Sequence, residues 1–400
     1  MFPPAQATEP GQSLARGAAG IALLHVERVH DRIGHWDTVH AWVKAATHDE
    51  VTAGDTAGLF FGAPAIAYLL TVAGQPAYGP VLRDLDGHIE ALVRERLGLA
   101  RDRIDRGCLP ALSEFDLISG LTGFGAYLLL RGQGGDLLAD VLGYLVRLTG
   151  PLKIGDIEVP GWWSANGLSD EESPDWPDGH GNFGMAHGIG GPLAFLSAAM
   201  MSGVSVSGQP EAVARICSAL DRAQAGGDHW PGVVSLTDWT SGAPTGRTAE
   251  RPSWCYGTPG IARAQQLAGI ALDDQGRKRT AEQLLYECVT DERQLALLSD
   301  TSICHGWAGL LQVVWRTAKD ADDSRLAGQL PRLIDGMDRR LNADPPGHCG
   351  LLEGAAGVEL VRHTLARGTS RPLPWDACLL LDGGPKAAPH VVMNRQERDR

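Results

Sequence analysis

HGWAGLLQVV, residues 305–314, runs from a polar dipeptide through two spaced glycines into a largely apolar stretch. Its pattern, G-x-x-G or G-x-x-A followed by helix-like apolar residues, occurs seven times in the chain. The other instances are RGAAGIALL at Gly17, FGAPAIAYLL at Gly62, SGLTGFGAYLLL at Gly120, HGIGGPLAFL at Gly188, YGTPGIARAQQL at Gly257 and EGAAGVELV at Gly354. Six keep glycine at the fourth position and the second has Ala65. The leading glycines are 45, 58, 68, 69, 49 and 48 residues apart. At roughly 1.5 Å of rise per residue, each interval holds two helices and their connections.

The second helix of a pair is visible in amphipathic stretches such as Pro210 to Ala223 and Thr280 to Leu298, and Lys153 to Trp163 has room for a short strand. Glycine at the start of each inner helix permits a tight turn and close approach of neighbouring helix ends. Seven helical hairpins form either an open array or a ring. Open arrays need polar, atypical terminal repeats, whereas the first and seventh motifs here are as apolar and glycine-rich as the inner ones. Closure follows: an all-α double ring of helices, an α/α toroid. One such domain over residues 1–400 accounts for a length that otherwise suggests two or three, with a polar C-terminal tail over about 386–400.

In a closed ring the residues just before each glycine share one rim. Cys255 and Cys304 both stand two before their glycines, 49 residues apart, and His305 follows Cys304 directly. Two thiolates and an imidazole at one point make a zinc site with an open fourth position. The same edge receives Asp116, His187, Arg251, Tyr256, Glu353, Arg16 and Phe61. Singly, each has a plainer reading. Asp116 serves as a helix cap, His187 as a hydrogen-bonded packing residue, Cys255 as buried filler, Arg251 as a solvated charge and Tyr256 as a half-buried aromatic. The joint placement is what points to chemistry. His348-Cys349 reverses the Cys-His order but lies out of phase, and reads as structural.

Composition sets outer limits. A formal charge of −13 opposes nucleic-acid or anionic-membrane binding, and 44% hydrophobic with 21% charged residues excludes wholesale disorder. No apolar run approaches the ~18–20 residues that span a bilayer. The N-terminal MFPPAQATEPGQ lacks the basic and apolar parts of a secretory signal, and seven cysteines, an odd count, argue against a disulfide framework. A cytoplasmic protein is expected.

Trp254-Cys255-Tyr256-Gly257, Cys304-His305-Gly306, Asn182 to Gly188 (NFGMAHG) and the seven glycine motifs together resemble the lanthionine synthetase C-like family. The resemblance runs from about Leu14 to the Trp375-Asp376 and Leu379-Leu380-Leu381 segment. It implies a toroid of seven inner and seven outer helices, with Zn2+ held by Cys255, Cys304 and His305. It implies His187 and Asp116 as catalytic groups beside the metal, with Arg251 and Tyr256 at further active-site positions. The activity implied is that of a free-standing lanthipeptide cyclase. Such an enzyme adds cysteine thiols of a dehydrated precursor peptide to dehydroalanine or dehydrobutyrine, working with a lanthipeptide dehydratase as a possible partner. Two other functions stay open at this stage: addition of glutathione or another small thiol, and a non-catalytic scaffold with structural zinc. The tryptophan-rich, acidic stretch from Gly161 to His180 reads either as a peptide-contacting loop or as a folded surface loop.

Overall fold

The computed structural model describes residues 11–132, 135–224, 230–242, 251–368, 374–384 and the backbone of 391–392. The chain opens with the hairpins α1 (Ala18–His30) with α2 (Trp36–Ala46) and α3 (Ala63–Ala73) with α4 (Gly79–Asp105). A single turn, α5 (Leu112–Phe115), precedes α6 (Leu121–Arg131) with α7 (Gly135–Leu148), then α8 (Gly190–Met201) with α9 (Gln209–Gln224). After the short α10 (Leu236–Ser241) come α11 (Thr258–Ala271) with α12 (Gln275–Thr290), and the short α13 (Glu292–Leu295). The last helices are α14 (Trp307–Asp320) with α15 (Arg325–Ala343), and α16 (Ala355–Arg367).

The seven helices that follow the glycine motifs, α1, α3, α6, α8, α11, α14 and α16, each pack on the next, and α16 packs on α1. The ring is closed. Among the described residues six outer helices back it, each against its own hairpin partner. The result is an α/α toroid. Inner helices touch a partner behind and neighbours on both sides, so α8 buries every residue from Gly190 to Ala199. Outer α15 instead buries few residues along one stripe, as a helix with one solvent face does.

Two junctions show why glycine is needed. Gly257 has φ 90°, the left-handed region that disfavours side chains. Gly309, in the first turn of α14, packs on the Ile303 carbonyl, and an added Cβ there would overlap that oxygen.

The helix expected over Thr280 to Leu298 is displaced and broken. α12 ends at Thr290, Asp291 adopts extended backbone, and its carboxylate accepts the Arg293 N–H at 2.8 Å to start α13. The strand expected near Lys153 is a hairpin of β1 (Leu152–Ile154) and β2 (Ile157–Val159). β3 (His180–Asn182) pairs antiparallel with β5 (Val233–Ser235), tying the α7–α8 insertion to the connection before α11. β4 (Val204–Ser205) pairs parallel with β6 (Val391–Val392). The remainder of the expected tail over 386–400 lies outside the described residues.

Residues 374–384 enter the centre of the ring. Trp375, Asp376, Cys378, Leu379 and Leu381 are all fully buried. Tyr68 Oη on α3 donates to the Pro374 and Trp375 carbonyls, Trp254 Nε1 donates to Leu379 O, and Trp375 Nε1 donates to Thr364 on α16. Arg316 on α14 grips Asp376 through Nε and Nη2, while Gln312 donates to the same carboxylate.

Candidate active site

Backbone hydrogen bonds between successive glycine loops hold the rim. Leu14 N donates to Phe60 O, Leu117 N to Ala186 O, and Met185 N to Cys255 O, at 2.9, 3.1 and 2.8 Å. Cys255 N donates to Cys304 O, Cys304 N to Leu352 O, and Leu352 N to Ala15 O, at 3.2, 2.9 and 2.9 Å. Between the second and third loops Arg96 bridges instead, donating to the carbonyls of Asp55, Ala57 and Ser119. The belt fixes the residues one and two places before each glycine relative to one another.

Within it Cys255, Cys304 and His305 converge, their candidate ligand atoms all within 4.8 Å of one another. Tetrahedral zinc–sulfur bonds of about 2.3 Å set ligand atoms about 3.8 Å apart, so this trio fits a metal with small adjustment. Cys255 is buried, while Cys304 and His305 are half-buried. The Cys304 thiol donates to Cys255 and lowers its pKa, with burial opposing and His305 and Ser253 assisting. Cys304 is correspondingly pushed up, by that same bond first and by burial next, with Glu353 adding to the rise and Arg251 opposing it. His305 is raised, chiefly by its hydrogen bond to Cys255. A divalent cation displaces thiol protons when it binds.

Beside the trio, His187 Nδ1 lies 2.7 Å from Asp116 Oδ2. Asp116 is buried, and its Oδ1 accepts the Ser119 and Gly120 N–H groups at 2.7 Å each. Asp116 is not the cap of α6, whose first turn has no side-chain cap and starts from Gly120; its carboxylate instead ties the loop before the helix and faces His187. Burial lowers the His187 pKa, but the Asp116 hydrogen bond and charge outweigh it, and the net shift is upward. With Nδ1 engaged, the half-exposed imidazole presents Nε2 to the rim.

Tyr256 Oη accepts from Asn182 Nδ2 at 3.0 Å. Arg251 is exposed, yet close enough for its charge to act on Cys304 and His305. Arg16 and Glu353 form an ion pair at the same edge. His348 and Cys349 are not in the metal-type cluster. The Gly161–His180 stretch is a folded loop anchored by Asp170, whose carboxylate accepts the N–H groups of Leu112 and Ser113 at the start of α5, four residues before Asp116. Two neighbours of the site are not singled out from the sequence as site residues: Asn182, which opens the NFGMAHG stretch, and Asp300, whose Oδ2 lies 3.4 Å from His305 Nε2. A second His–carboxylate group, Glu27, Asp31 and His363, joins α1 to α16, where Arg367 contacts Asp31 and approaches Glu27 at 3.7 Å. With a guanidinium already among its carboxylates, it reads as an ionic seam of the ring.

The family described as lanthionine synthetase C-like protein matches residues 9–380. Nisin biosynthesis protein NisC of Lactococcus lactis subsp. lactis is 30% identical over 320 residues, covering 76% of this chain and 73% of its own length. The solved structure of nisin cyclase superposes with a TM-score of 0.79, covering 94% of this chain and 93% of that one at 24% identity, a likeness of fold.

Proposed function

The chain belongs to the lanthionine synthetase C-like family, and on that premise we propose that it is a zinc-dependent lanthipeptide cyclase. It forms lanthionine or methyllanthionine by adding a peptide cysteine to a dehydroalanine or dehydrobutyrine of the same dehydrated precursor. The observation that carries this reading is the convergence of Cys255, Cys304 and His305 beside the Asp116–His187 pair. Three protein donors fall one short of a tetrahedral set, the number expected where substrate supplies the fourth. Structural zinc needs neither the dyad nor a donor set left incomplete.

A zinc ion bound there supplies one thing, a substrate thiol held as thiolate at neutral pH. The chain's own groups do the rest. As the carbon–sulfur bond forms at the β-carbon, the alkene electrons move toward the α-carbon and its carbonyl, and Arg251 offers positive charge to the enolate oxygen. His187 Nε2 takes up the proton that the substrate thiol gives up and delivers it to the α-carbon, while Asp116 holds Nδ1 and sustains the imidazolium in between. Tyr256 lies at the same edge as a polar contact for the peptide. Such chemistry belongs in a reducing cytoplasm, where substrate thiols persist.

Cyclisation changes no mass, so the test counts alkylatable thiols by mass spectrometry after incubation with a dehydrated precursor peptide. The wild type loses peptide thiols, Cys304→Ala loses both stoichiometric zinc and turnover, and His187→Asn keeps zinc while slowing turnover about 10²–10⁴-fold. Full metal and activity in Cys304→Ala would overturn the site. Parallel reactions with glutathione and a dehydroamino-acid acceptor separate peptide cyclisation from small-thiol addition.

A further inference from the structure

Asn182 and Asp300 stand six residues before Gly188 and Gly306 and occupy equivalent places in two glycine loops of the ring. Each turns one oxygen back on its own loop: Asn182 Oδ1 accepts the Gly184 N–H at 3.1 Å, and Asp300 Oδ1 accepts the Ser302 N–H at 2.7 Å. In both cases that oxygen packs so close to the motif glycine that a Cβ added at Gly188 or Gly306 would overlap it. Once the first oxygen is anchored, the second atom of the head group has only one direction to face. For Asn182 it is Nδ2, 3.0 Å from Tyr256 Oη. For Asp300 it is Oδ2, 3.4 Å from His305 Nε2. The residue types suit their neighbours: an amide donor bonds a hydroxyl, and a carboxylate stands at ion-pair distance from an imidazole nitrogen.

We propose that Asp300 is the positioning residue of the metal trio, keeping the His305 proton on Nε2 and so leaving the Nδ1 lone pair for the ion. This rests on the zinc reading above. The physical reason is the fixed tautomer. A neutral imidazole has one N–H and one lone pair, and a carboxylate beside Nε2 decides which nitrogen carries which. A partner of this kind also makes the ligating nitrogen more basic, and its loss typically weakens metal binding about 10–100-fold. Asn182 is the same device applied to Tyr256, with donor and acceptor exchanged.

Asp300→Asn is the discriminating variant because it can keep the loop while reversing the polarity at His305. Its Oδ1 still accepts the Ser302 N–H, so the loop role is retained, and an amide N–H now confronts Nε2–H. Zinc affinity, measured by chelator competition on the full chain, falls about 10–100-fold, with Cys304→Ala run alongside. If Cys304→Ala loses zinc but Asp300→Asn binds it as tightly as the wild type, the positioning role is overturned and the zinc reading stands. If Cys304→Ala itself keeps stoichiometric zinc, the reading beneath the proposal fails. Long-range proton–nitrogen NMR of zinc-loaded wild type gives an independent answer, since it needs no variant to fold. His305 shows its proton on Nε2, and a proton on Nδ1 would refute the assignment.

Discussion

Asp116 divides its carboxylate between two tasks, and the division decides what its replacement does. Oδ1 holds the Ser119 and Gly120 N–H groups, while Oδ2 faces His187 Nδ1. Asp116→Asn keeps an oxygen for the loop but removes the charge that raises the His187 pKa above its ordinary value. The sign follows from linkage. A histidine whose folded-state pKa is raised stabilises the fold fully below about 6.5 and stops doing so as pH rises through the folded value. Asp116→Asn therefore costs more stability at a pH of about 5.5 than at about 9, read from urea unfolding at the two pH values. The His187 NMR titration midpoint moves down, and the high-pH decline in cyclisation moves down with it. Equal losses at both pH values would remove the charge coupling. Cys255 and Cys304 stand out in the sequence because they share one offset from their glycines, with His305 adjacent, whereas the roles expected of His187 and Asp116 come from the family resemblance, Asp116 having an offset none of the others shares. Asn182 and Asp300 share an offset of six residues from their glycines, but an Asn or Asp ahead of a helix is ordinarily a cap, so the offset alone does not mark them. Sequence cannot say where a head group points its second atom.

At the level of elements, the junction between loop and helix is the unit that repeats. The fourth-position glycine packs on the carbonyl three residues before the leading glycine, as Gly309 does on Ile303. Ile303 is also the residue before Cys304, so this contact bears on the backbone that carries Cys304 and His305. Gly309→Ala forces the Ile303 carbonyl aside at a cost of about 1–3 kcal/mol, and zinc affinity falls with it because the displaced backbone carries a ligand. Urea unfolding and chelator competition on one sample test both, and loss of stability with unchanged zinc affinity would uncouple loop height from the site. These junctions could be read from sequence because little besides a close backbone approach places glycine at so regular an interval. The belt that joins them had no such signal: backbone groups of ordinary residues make it, apart from Arg96. The break between α12 and α13 was hidden for a related reason, since apolar periodicity continues across Asp291 while one side-chain bond starts a new turn.

At the scale of the whole molecule, ring closure was visible in the apolar first and last motifs, and α16 does pack on α1. What fills the ring was not visible. Residues 374–384 have no helical or strand period, and in sequence Asp376 looks like any surface acid. In the fold it is fully buried, held by Arg316 and Gln312 from α14. Trp254, directly before Cys255, donates to the same segment at Leu379 O, so the plug supports the ring from the inside and reaches the loop that carries the site. Removing one partner of a buried ion pair strands the other, typically at about 3–5 kcal/mol. Asp376→Ala falls near the lower end, because Arg316 keeps Asp382 at 3.2 Å. Replacing the pair together, Asp376→Leu with Arg316→Met, recovers much of that loss, because neither charge is then left in a low-dielectric interior. The Leu379 carbonyl bond survives in both variants, so zinc stoichiometry at temperatures well below unfolding stays at the wild-type value. If the double variant unfolds as readily in urea as Asp376→Ala, the ion pair acts by specifying how the plug seats and not through the energy of a stranded charge.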